Sequence, residues 1–475
     1  MSAGMGNQPE KNAMVTADYN AVRVNDLNHF VHPYTHFDSF KKDGSAVMVK
    51  SEGVYVWDSN GNRYLDGIGG LWCVNIGHGR AEIAEAIAEQ ARQMCYYTSF
   101  GATTNIPASN LAGKIAELTP DSLNHVFFSL SGSEAIDVAM RLIHYYQGCR
   151  KKPYKKHFIS RKGSYHGATL AAASLTGTES SRQPEFQYLT DFIHHVSNPN
   201  PYRRPEGMTE EEFCEVLINE LEEKILELGP DNVAAFFAEP IMGAGGVIVP
   251  PRGYHRKTWE VCKKYDILYV SDEVVTAFGR LGHMFASKEV FDIQPDIITS
   301  AKGLSSGYVP LAATIFSDEI WDVISAPNPD HVFACGYTYS GHPVSCAAAL
   351  KNIEILEREK ICEHVRDVGP YLEEKLNSLR DLPIVGDVRG SHFMMGIESV
   401  KNPETKESFQ KEAMIGSRIA KKCQEFGLMV RPVGNFNVIS PPLILTRNQI
   451  DELELALRKG IEGAVDELKE EGIMG

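Results

Sequence analysis

Ile297-Ile298-Thr299-Ser300-Ala301-Lys302-Gly303 is a short β-branched apolar run that ends in small residues and a single lysine. It reads as a buried strand delivering one amine into a site. Desolvating an ammonium is costly and pushes its pKa down, so a lysine in such a place needs a task. A depressed pKa is what an amine needs to add to a carbonyl. Taken alone, the pattern also describes a strand-end lysine that reaches solvent. Upstream, Ile267-Leu268-Tyr269-Val270 is a second buried-strand pattern and runs directly into Ser271-Asp272-Glu273. One strand end offers a carboxylate and a later one an amine, the pair that a pyridoxal phosphate (PLP) enzyme needs.

Outward from these two runs, helical patterns alternate with short apolar stretches from about Ala81 to Pro329: Val126 to Phe128, His157 to Ile159, Val233 to Ala238 and Leu311 to Phe316. Continuous apolar strands between helices indicate an α/β domain with a mostly parallel sheet covered on both faces. Ser131-Gly132-Ser133, Tyr165-His166, Glu239-Pro240, Asp272 and Lys302 all fall just past the carboxyl ends of these strands, where open α/β sheets bind ligands. Nearer the N-terminus, Val54 to Trp57 and Arg63 to Leu65 flank Asn60-Gly61, two residues that tolerate positive φ, and read as a hairpin. Thr209 with Glu212 and Thr446 with Gln449 form capping-box patterns, and Gly229-Pro230 closes the helix that the first one opens. After His342, helices surround a few strands, Leu428-Met429-Val430 among them, which suggests a smaller α+β domain.

Composition narrows the classes of function. With 475 residues, 43% hydrophobic and 23% charged, the chain can bury a large core. A formal charge of -15 argues against nucleic acid, whose phosphates demand a basic face. The cluster from Lys151 to Lys156 is short and reads as a solvated loop. Nine cysteines with no C-x-x-C pair fit neither a disulfide framework nor a zinc site, and indicate a reducing compartment. Residues 1–26 are polar, without the apolar centre of a signal peptide, and no stretch is long enough to span a bilayer. The expectation is a cytoplasmic protein with no membrane and no metal, and a loose N-terminal arm.

Ser131-Gly132-Ser133-Glu134 follows an apolar strand and precedes a helical run. A glycine-containing turn at a helix start presents free N–H groups and the positive dipole end to an anion, so a phosphate fits; an ordinary serine N-cap is the alternative. Asp272-Glu273-Val274, Gly279-Arg280 and Ala301-Lys302-Gly303 together resemble the signature of class III aminotransferases of PLP fold type I, a likeness that runs from about Asn28 to the C-terminus. Leu71-Trp72-Cys73-Val74-Asn75 and Tyr337-Thr338-Tyr339-Ser340-Gly341-His342-Pro343 are similar to the amine:pyruvate, or ω-transaminase, branch.

The resemblance implies a large domain over residues 81–335 with a seven-stranded-type sheet. A smaller α+β domain would come from both termini, residues 29–80 joining 336–475, with 1–28 a flexible arm. It implies that Lys302 carries the cofactor and shuttles the proton, that Asp272 pairs with the ring nitrogen, and that Val274 and Tyr165 pack on its two faces. Ser131, Gly132 and Ser133 would hold its phosphate, with His166 and Glu239 completing the site; a capping or salt-bridged Glu239 is an equal account. Thr338 would reach the phosphate of a partner subunit, which makes a homodimer with shared sites; dimer against tetramer stays open.

Arg431 resembles the arginine that binds a carboxylate bidentately, while Trp72 and Phe100, with Tyr165, match aromatic positions of the amine pocket. Relatives that neutralise this arginine carry a glutamate beside a Glu-Pro-Ile-Gln-Gly motif. Here the stretch is Glu239-Pro240-Ile241-Met242-Gly243-Ala244, so Ala244 stands in that place and Met242 replaces the glutamine. The implied activity is transfer of an amino group from a primary amine or ω-amino acid to pyruvate, giving an aldehyde or ketone and L-alanine. Racemase, mutase or decarboxylase chemistry on the same lysine, a taurine- or β-alanine-specific aminotransferase and a non-catalytic homologue are the competing readings. The physiological amine is left open, because the loops 98–105 and 434–436 have no readable placement.

Overall fold

The computed structural model describes residues 18–328 and 330–474. Its centre is a seven-stranded sheet built from β1 (His125–Ser129), β2 (His157–Arg161), β3 (Ile193–Val196), β4 (Val233–Ala238), β5 (Leu268–Asp272), β6 (Ile297–Ser300) and β7 (Ala312–Phe316). Their order is β1-β7-β6-β5-β4-β2-β3. Strand β7 runs antiparallel to both of its neighbours and the other pairings are parallel. Every residue of β4, β5, β6 and β7 is buried, which is why these stretches read as unbroken apolar runs rather than alternating ones.

Each face of the sheet is covered. Helix α1 (Gly132–Cys149) lays Ile136, Ala139, Met140 and Ile143 against Phe158, Phe237, Val270 and Ile297. On the other side, helices Glu210–Leu228 and Tyr254–Lys264 pack Leu217, Leu221 and Cys262 against Ile159, Phe236 and Tyr269. Both capping boxes are formed, Thr209 with Glu212 and Thr446 with Gln449. Strand β3 escaped the sequence reading. Its central residues are His194 and His195 at the sheet edge, where His194 Nε2 meets His157 Nδ1 at 2.8 Å, so no apolar run announces it.

Two smaller sheets complete the architecture. Met48–Glu52, Tyr55–Asp58 and Arg63–Asp66 form antiparallel pairs, and Leu428–Met429 from the C-terminal part adds in parallel to Arg63–Asp66. Val385–Ser391, Met394–Asn402, Phe436–Ile439 and Arg431–Val433 form the second sheet, with Glu407–Ser408 paired to its Met394–Asn402 strand. The hairpin turn is wider than expected: only Gly61 has positive φ, and Asp58 closes the loop by accepting the N–H groups of Asn60 and Asn62.

Part of the expected loose arm carries secondary structure. Tyr19–His29 is a helix, because Asp18 caps it by accepting from Asn20 N and Ala21 N, although it buries none of its residues. Residues 1–17, the rest of that expectation, lie outside the described residues. Among the described residues, no helix is long and apolar enough to cross a membrane.

One buried group ties distant segments together next to Lys302. The Arg280 guanidinium, fully enclosed, donates to Phe393 O at 3.1 Å, to Pro441 O at 2.5 Å and to Asn75 Oδ1 at 2.8 Å. Burial pushes its pKa down to about 10. Asn75 Nδ2 in turn donates to Phe278 O at 2.7 Å and lies 2.3 Å from where a Cβ on Gly303 would sit. Only glycine fits directly after Lys302.

Candidate active site

The expected residues follow the ends of β1, β2, β4, β5 and β6, with antiparallel β7 lying between β1 and β6. Asp272, the last residue of β5, is buried and its Oδ2 meets His166 Nδ1 at 2.7 Å. Its Oδ1 accepts the Val274 N–H at 3.1 Å and keeps room for a second donor. The neighbouring Glu273 is a different kind of group: it accepts from Ala286 N, Ser287 N and two hydroxyls, and is a structural anchor. His166 is held from behind, its Nε2 against Ser160 Oγ at 3.0 Å and its N–H donated to Thr176 Oγ1 at 2.9 Å.

Glu239 follows β4, which lies between the strands that supply His166 and Asp272. Among the described residues it is neither a helix cap nor a salt-bridge partner. Its Oε1 accepts from Tyr165 N at 3.0 Å and its Oε2 from Gly243 N at 2.8 Å, so it fixes the loop that carries Tyr165. Burial raises its pKa, with the charge of Asp272 adding to the effect and His166 and Arg161 opposing it. Met242 is buried and sends its Cε between Gly163 and Gly245, so apolar packing replaces the hydrogen bond a glutamine would bring. Ala244 lines a cavity of about 830 Å³ that also touches Asn198 and Phe436 and contains none of the expected site residues.

Helix α1 starts at the expected turn. Ser131 is its N-cap, with Oγ accepting from Glu134 N, and Ser133 Oγ accepts from Ala168 N at 3.0 Å. The first two helical N–H groups, of Gly132 and Ser133, find no acceptor among the described residues. Val274 packs against Gly132 and joins Ala135, Ala301 and Ala312 in a small apolar cluster.

Lys302 begins a single 3₁₀ turn after β6 with φ at +41°, a left-handed conformation that costs a residue with a Cβ roughly 1–2 kcal/mol. The amine has no hydrogen-bond partner among the described residues. Burial lowers its pKa, against the opposing charge of Asp272 and then of Cys73 and Glu239, while Arg431 lowers it further. Trp72, also at positive φ, is buried and lies so close to Gly243 that a Cβ there would come within 2.4 Å of its ring.

Arg431 is half-buried at the start of its strand and forms no hydrogen bond or ion pair among the described residues. Tyr165 is half-buried too, and its hydroxyl pairs with that of Tyr34 at 3.3 Å. Tyr34 was not foreseen: it sits between two short N-terminal helices where no periodicity marks a contact 131 residues away. Phe100 and Thr338 stand apart from this constellation. Their segments join on an exposed patch, where Tyr96 OH donates to Thr338 O at 2.6 Å, Ser99 Oγ donates to Ser340 O at 2.8 Å, and Phe100 packs on Gly336.

Residues 39–461 match the family Aminotransferase class-III. The chain belongs to that family. It is 42% identical over 436 residues to a putrescine–pyruvate aminotransferase of Pseudomonas aeruginosa, covering 92% of this chain and 94% of that protein. It is 43% identical over 410 residues to a mitochondrial γ-aminobutyrate transaminase 1 of Oryza sativa subsp. indica, covering 86% and 79%. Among solved structures, the ω-transaminase of Pseudomonas jessenii in complex with PMP superposes with a TM-score of 0.91 at 37% identity, covering 94% of this chain and 98% of that one.

Class III aminotransferases are PLP-dependent enzymes, and the donor set of this aminotransferase fits the cofactor. Two unused N–H groups at a helix start suit a phosphate, the spare oxygen of Asp272 suits a protonated ring nitrogen, and the unpartnered amine of Lys302 suits a carbonyl. Among the described residues no cluster of His, Cys, Asp and Glu could hold a metal ion.

The lowered pKa of Lys302 has a direct readout in apo-protein. At a given pH a larger fraction of its amine is neutral than for an exposed lysine, whose pKa is about 10.4. An amine-reactive label should therefore modify Lys302 over a lower pH range than surface lysines, as followed by peptide mass spectrometry. The same pH profile for both would show that the amine is not desolvated.

Proposed function

We propose that the enzyme moves the amino group of a primary amine or ω-amino acid to pyruvate, releasing an aldehyde or ketone and L-alanine. The observation that carries this reading is Arg431: a half-buried guanidinium that meets no carboxylate among the described residues and lies close enough to Lys302 and Tyr165 for its charge to bear on them. It offers one carboxylate site to an acceptor, next to the aromatic side chains of Tyr165 and Tyr34. The names of the putrescine–pyruvate and γ-aminobutyrate relatives support amines whose reacting nitrogen is distant from any carboxylate.

Bound in this site, PLP supplies the carbonyl that receives the amino group and the ring that takes up electron density. Gly132 and Ser133 would hold its phosphate, Asp272 its ring nitrogen, and Val274 and Tyr165 its faces. His166 keeps Asp272 oriented, and Glu239 keeps Tyr165 in place. Lys302 Nζ takes the proton from substrate Cα, a role its lowered pKa suits. Arg431 would hold the carboxylate of the keto acid so that its carbonyl carbon faces the amino group to be transferred.

The reading extends to a homodimer. Tyr97, Phe100, Ile106 and Tyr339 expose half or more of their surface around Thr338, a patch of the kind that marks an interface. Thr338 and Phe100 would then complete the site of the other subunit.

Incubation with pyruvate and a panel of primary amines should give alanine in equal amount to the amine consumed, and Lys302→Ala should lower turnover by about a hundredfold to ten-thousandfold or more. Alanine absent with every amine would sink the proposal. Arg431→Ala should slow the pyruvate half-reaction by a factor of about thirty to several thousand, from about 2 to 5 kcal/mol. The half-reaction of a carboxylate-free amine should stay within about tenfold, and stopped-flow rates that fall equally in both would give Arg431 a structural role instead. For the shared site, hybrids of Lys302→Ala chains with Thr338→Glu chains should regain activity that neither parent shows; hybrids without activity would place Thr338 outside the partner's site.

A further inference from the structure

Lys302 and Ser306 both stand at positive φ, +41° and +48°, in the turn that follows β6. Residues with a Cβ keep such conformations only where neighbouring structure leaves no alternative. On one side of the turn the restraint is Asn352, buried in helix Pro343–Arg358, whose Nδ2 donates to Gly303 O and to Leu304 O, each at 2.9 Å. On the other side lies the stretch from Gly67 to Gly77. Its Ile76 N donates to Ser306 Oγ at 3.3 Å, its Gly77 O accepts from Tyr308 OH at 2.9 Å, and Cys73 Sγ sits 3.1 Å from where a Cβ on Gly307 would be. With Asn75 against Gly303, the stretch lines the turn from Gly303 to Tyr308.

That stretch is itself irregular, with Trp72 at φ +63° and Gly69, Gly70 and Gly77 also at positive φ. Glycine-rich backbone loses much freedom on ordering, so it keeps one shape only when it is held. What holds it is a contact between its two ends. Asp66, buried at the end of strand Arg63–Asp66, accepts from Ile68 N at 3.2 Å with Oδ1 and from Gly70 N at 2.7 Å with Oδ2. The same Oδ2 meets His78 Nε2 at 2.9 Å. A carboxylate only accepts, so His78 carries a proton on Nε2. Both ends are also tied to the turn between the first two strands of the N-terminal sheet. Asp66 N donates to Val54 O at 2.8 Å, and His78 exchanges backbone bonds with Gly53 at 2.8 and 3.1 Å. The result is an Ω-loop, its ends clasped and its body laid on the turn that presents Lys302.

We propose that the Asp66–His78 clasp positions Lys302: by holding residues 67–77 against the turn 302–308, it keeps the amine at the place from which it reaches substrate Cα. The inference rests on the role given to Lys302 above. Asp66 and His78 are positioning residues that act through the loop, and an amine displaced by about 1 Å loses roughly a hundredfold in rate.

The test replaces His78 by leucine, which keeps bulk and removes the donor, and by glutamine, whose side-chain N–H can reach the same oxygen. In apo-protein, His78→Leu should speed hydrogen exchange across residues 67–77 by about tenfold or more. It should also raise the pH midpoint for amine labelling of Lys302 towards that of Lys162, an exposed lysine. In the holoenzyme, the single-turnover rate constant with 1-propylamine should fall by about tenfold to a hundredfold, while the apparent dissociation constant of the amine stays within about threefold. The slowed step should carry a primary isotope effect with the 1,1-dideuterated amine, because it is the proton transfer that suffers. Neither a single-turnover rate constant nor an isotope effect depends on the fraction of chains that are folded, so a loss of stability alone moves neither. His78→Gln should bring every value back to within about threefold of the parent. Asp66→Asn, isosteric with one acceptor fewer, should move each value in the direction of His78→Leu. Unchanged exchange across 67–77, an unchanged rate constant, a slowed step without the isotope effect, or a glutamine no better than leucine each overturns the inference. Full turnover by Lys302→Ala would instead defeat the role of Lys302, and exchange and labelling of the apo-protein would still decide whether the clasp holds the turn.

Discussion

The contact between His166 Nδ1 and Asp272 Oδ2, 2.7 Å long and closed to solvent, organises everything around it. It spans the end of β4, so the loops after β2 and β5 are joined over the strand that supplies Glu239. Glu239 then grips Tyr165 N and Gly243 N, and Gly243 provides the flat surface on which Trp72 lies. A buried carboxylate is tolerated only when its lone pairs are occupied. Here the occupants are loops that must stand where they do, and the polar requirement of one aspartate becomes the shape of a pocket.

How far this was readable from sequence depends on the range of the contact. Strands β4, β5 and β6 declare themselves because both faces are buried, and Lys302 declares itself because an amine at the end of such a strand is out of place. Ser131 to Ser133 follow from helix-capping chemistry confined to neighbouring residues. The edge strand carrying His194 and His195 does not, since its polarity is paid back by a partner 37 residues earlier. Glu239 was undecided for a related reason: a glutamate that binds two backbone N–H groups leaves no mark on local sequence. Tyr34 is the extreme case, a single side chain reaching Tyr165 from a segment with no apolar period.

The residues at positive φ show where the fold stores strain. Tyr34, Trp72 and Lys302 are three that adopt conformations a Cβ disfavours. Such cost persists only where surrounding structure over-determines the backbone. Asn75 beside Gly303, Gly243 beneath Trp72 and the His32–Asp26 contact before Tyr34 are the restraints that do so. Strain and its bracing thus occur in pairs at these three residues.

The bonds of Arg280 bear on how the protein matures during synthesis. Its partners are Asn75, Phe393 and Pro441, so the last of them leaves the ribosome well over a hundred residues after Lys302 does. Until then the Arg280 guanidinium lacks two of its acceptors, Phe393 O and Pro441 O. Domains generally fold as units during translation, the N-terminal parts first. The Arg280 cluster cannot close in that order. The large sheet draws on residues 125–316 alone, whereas the Arg280 guanidinium finds its full set of acceptors only once the chain is nearly complete.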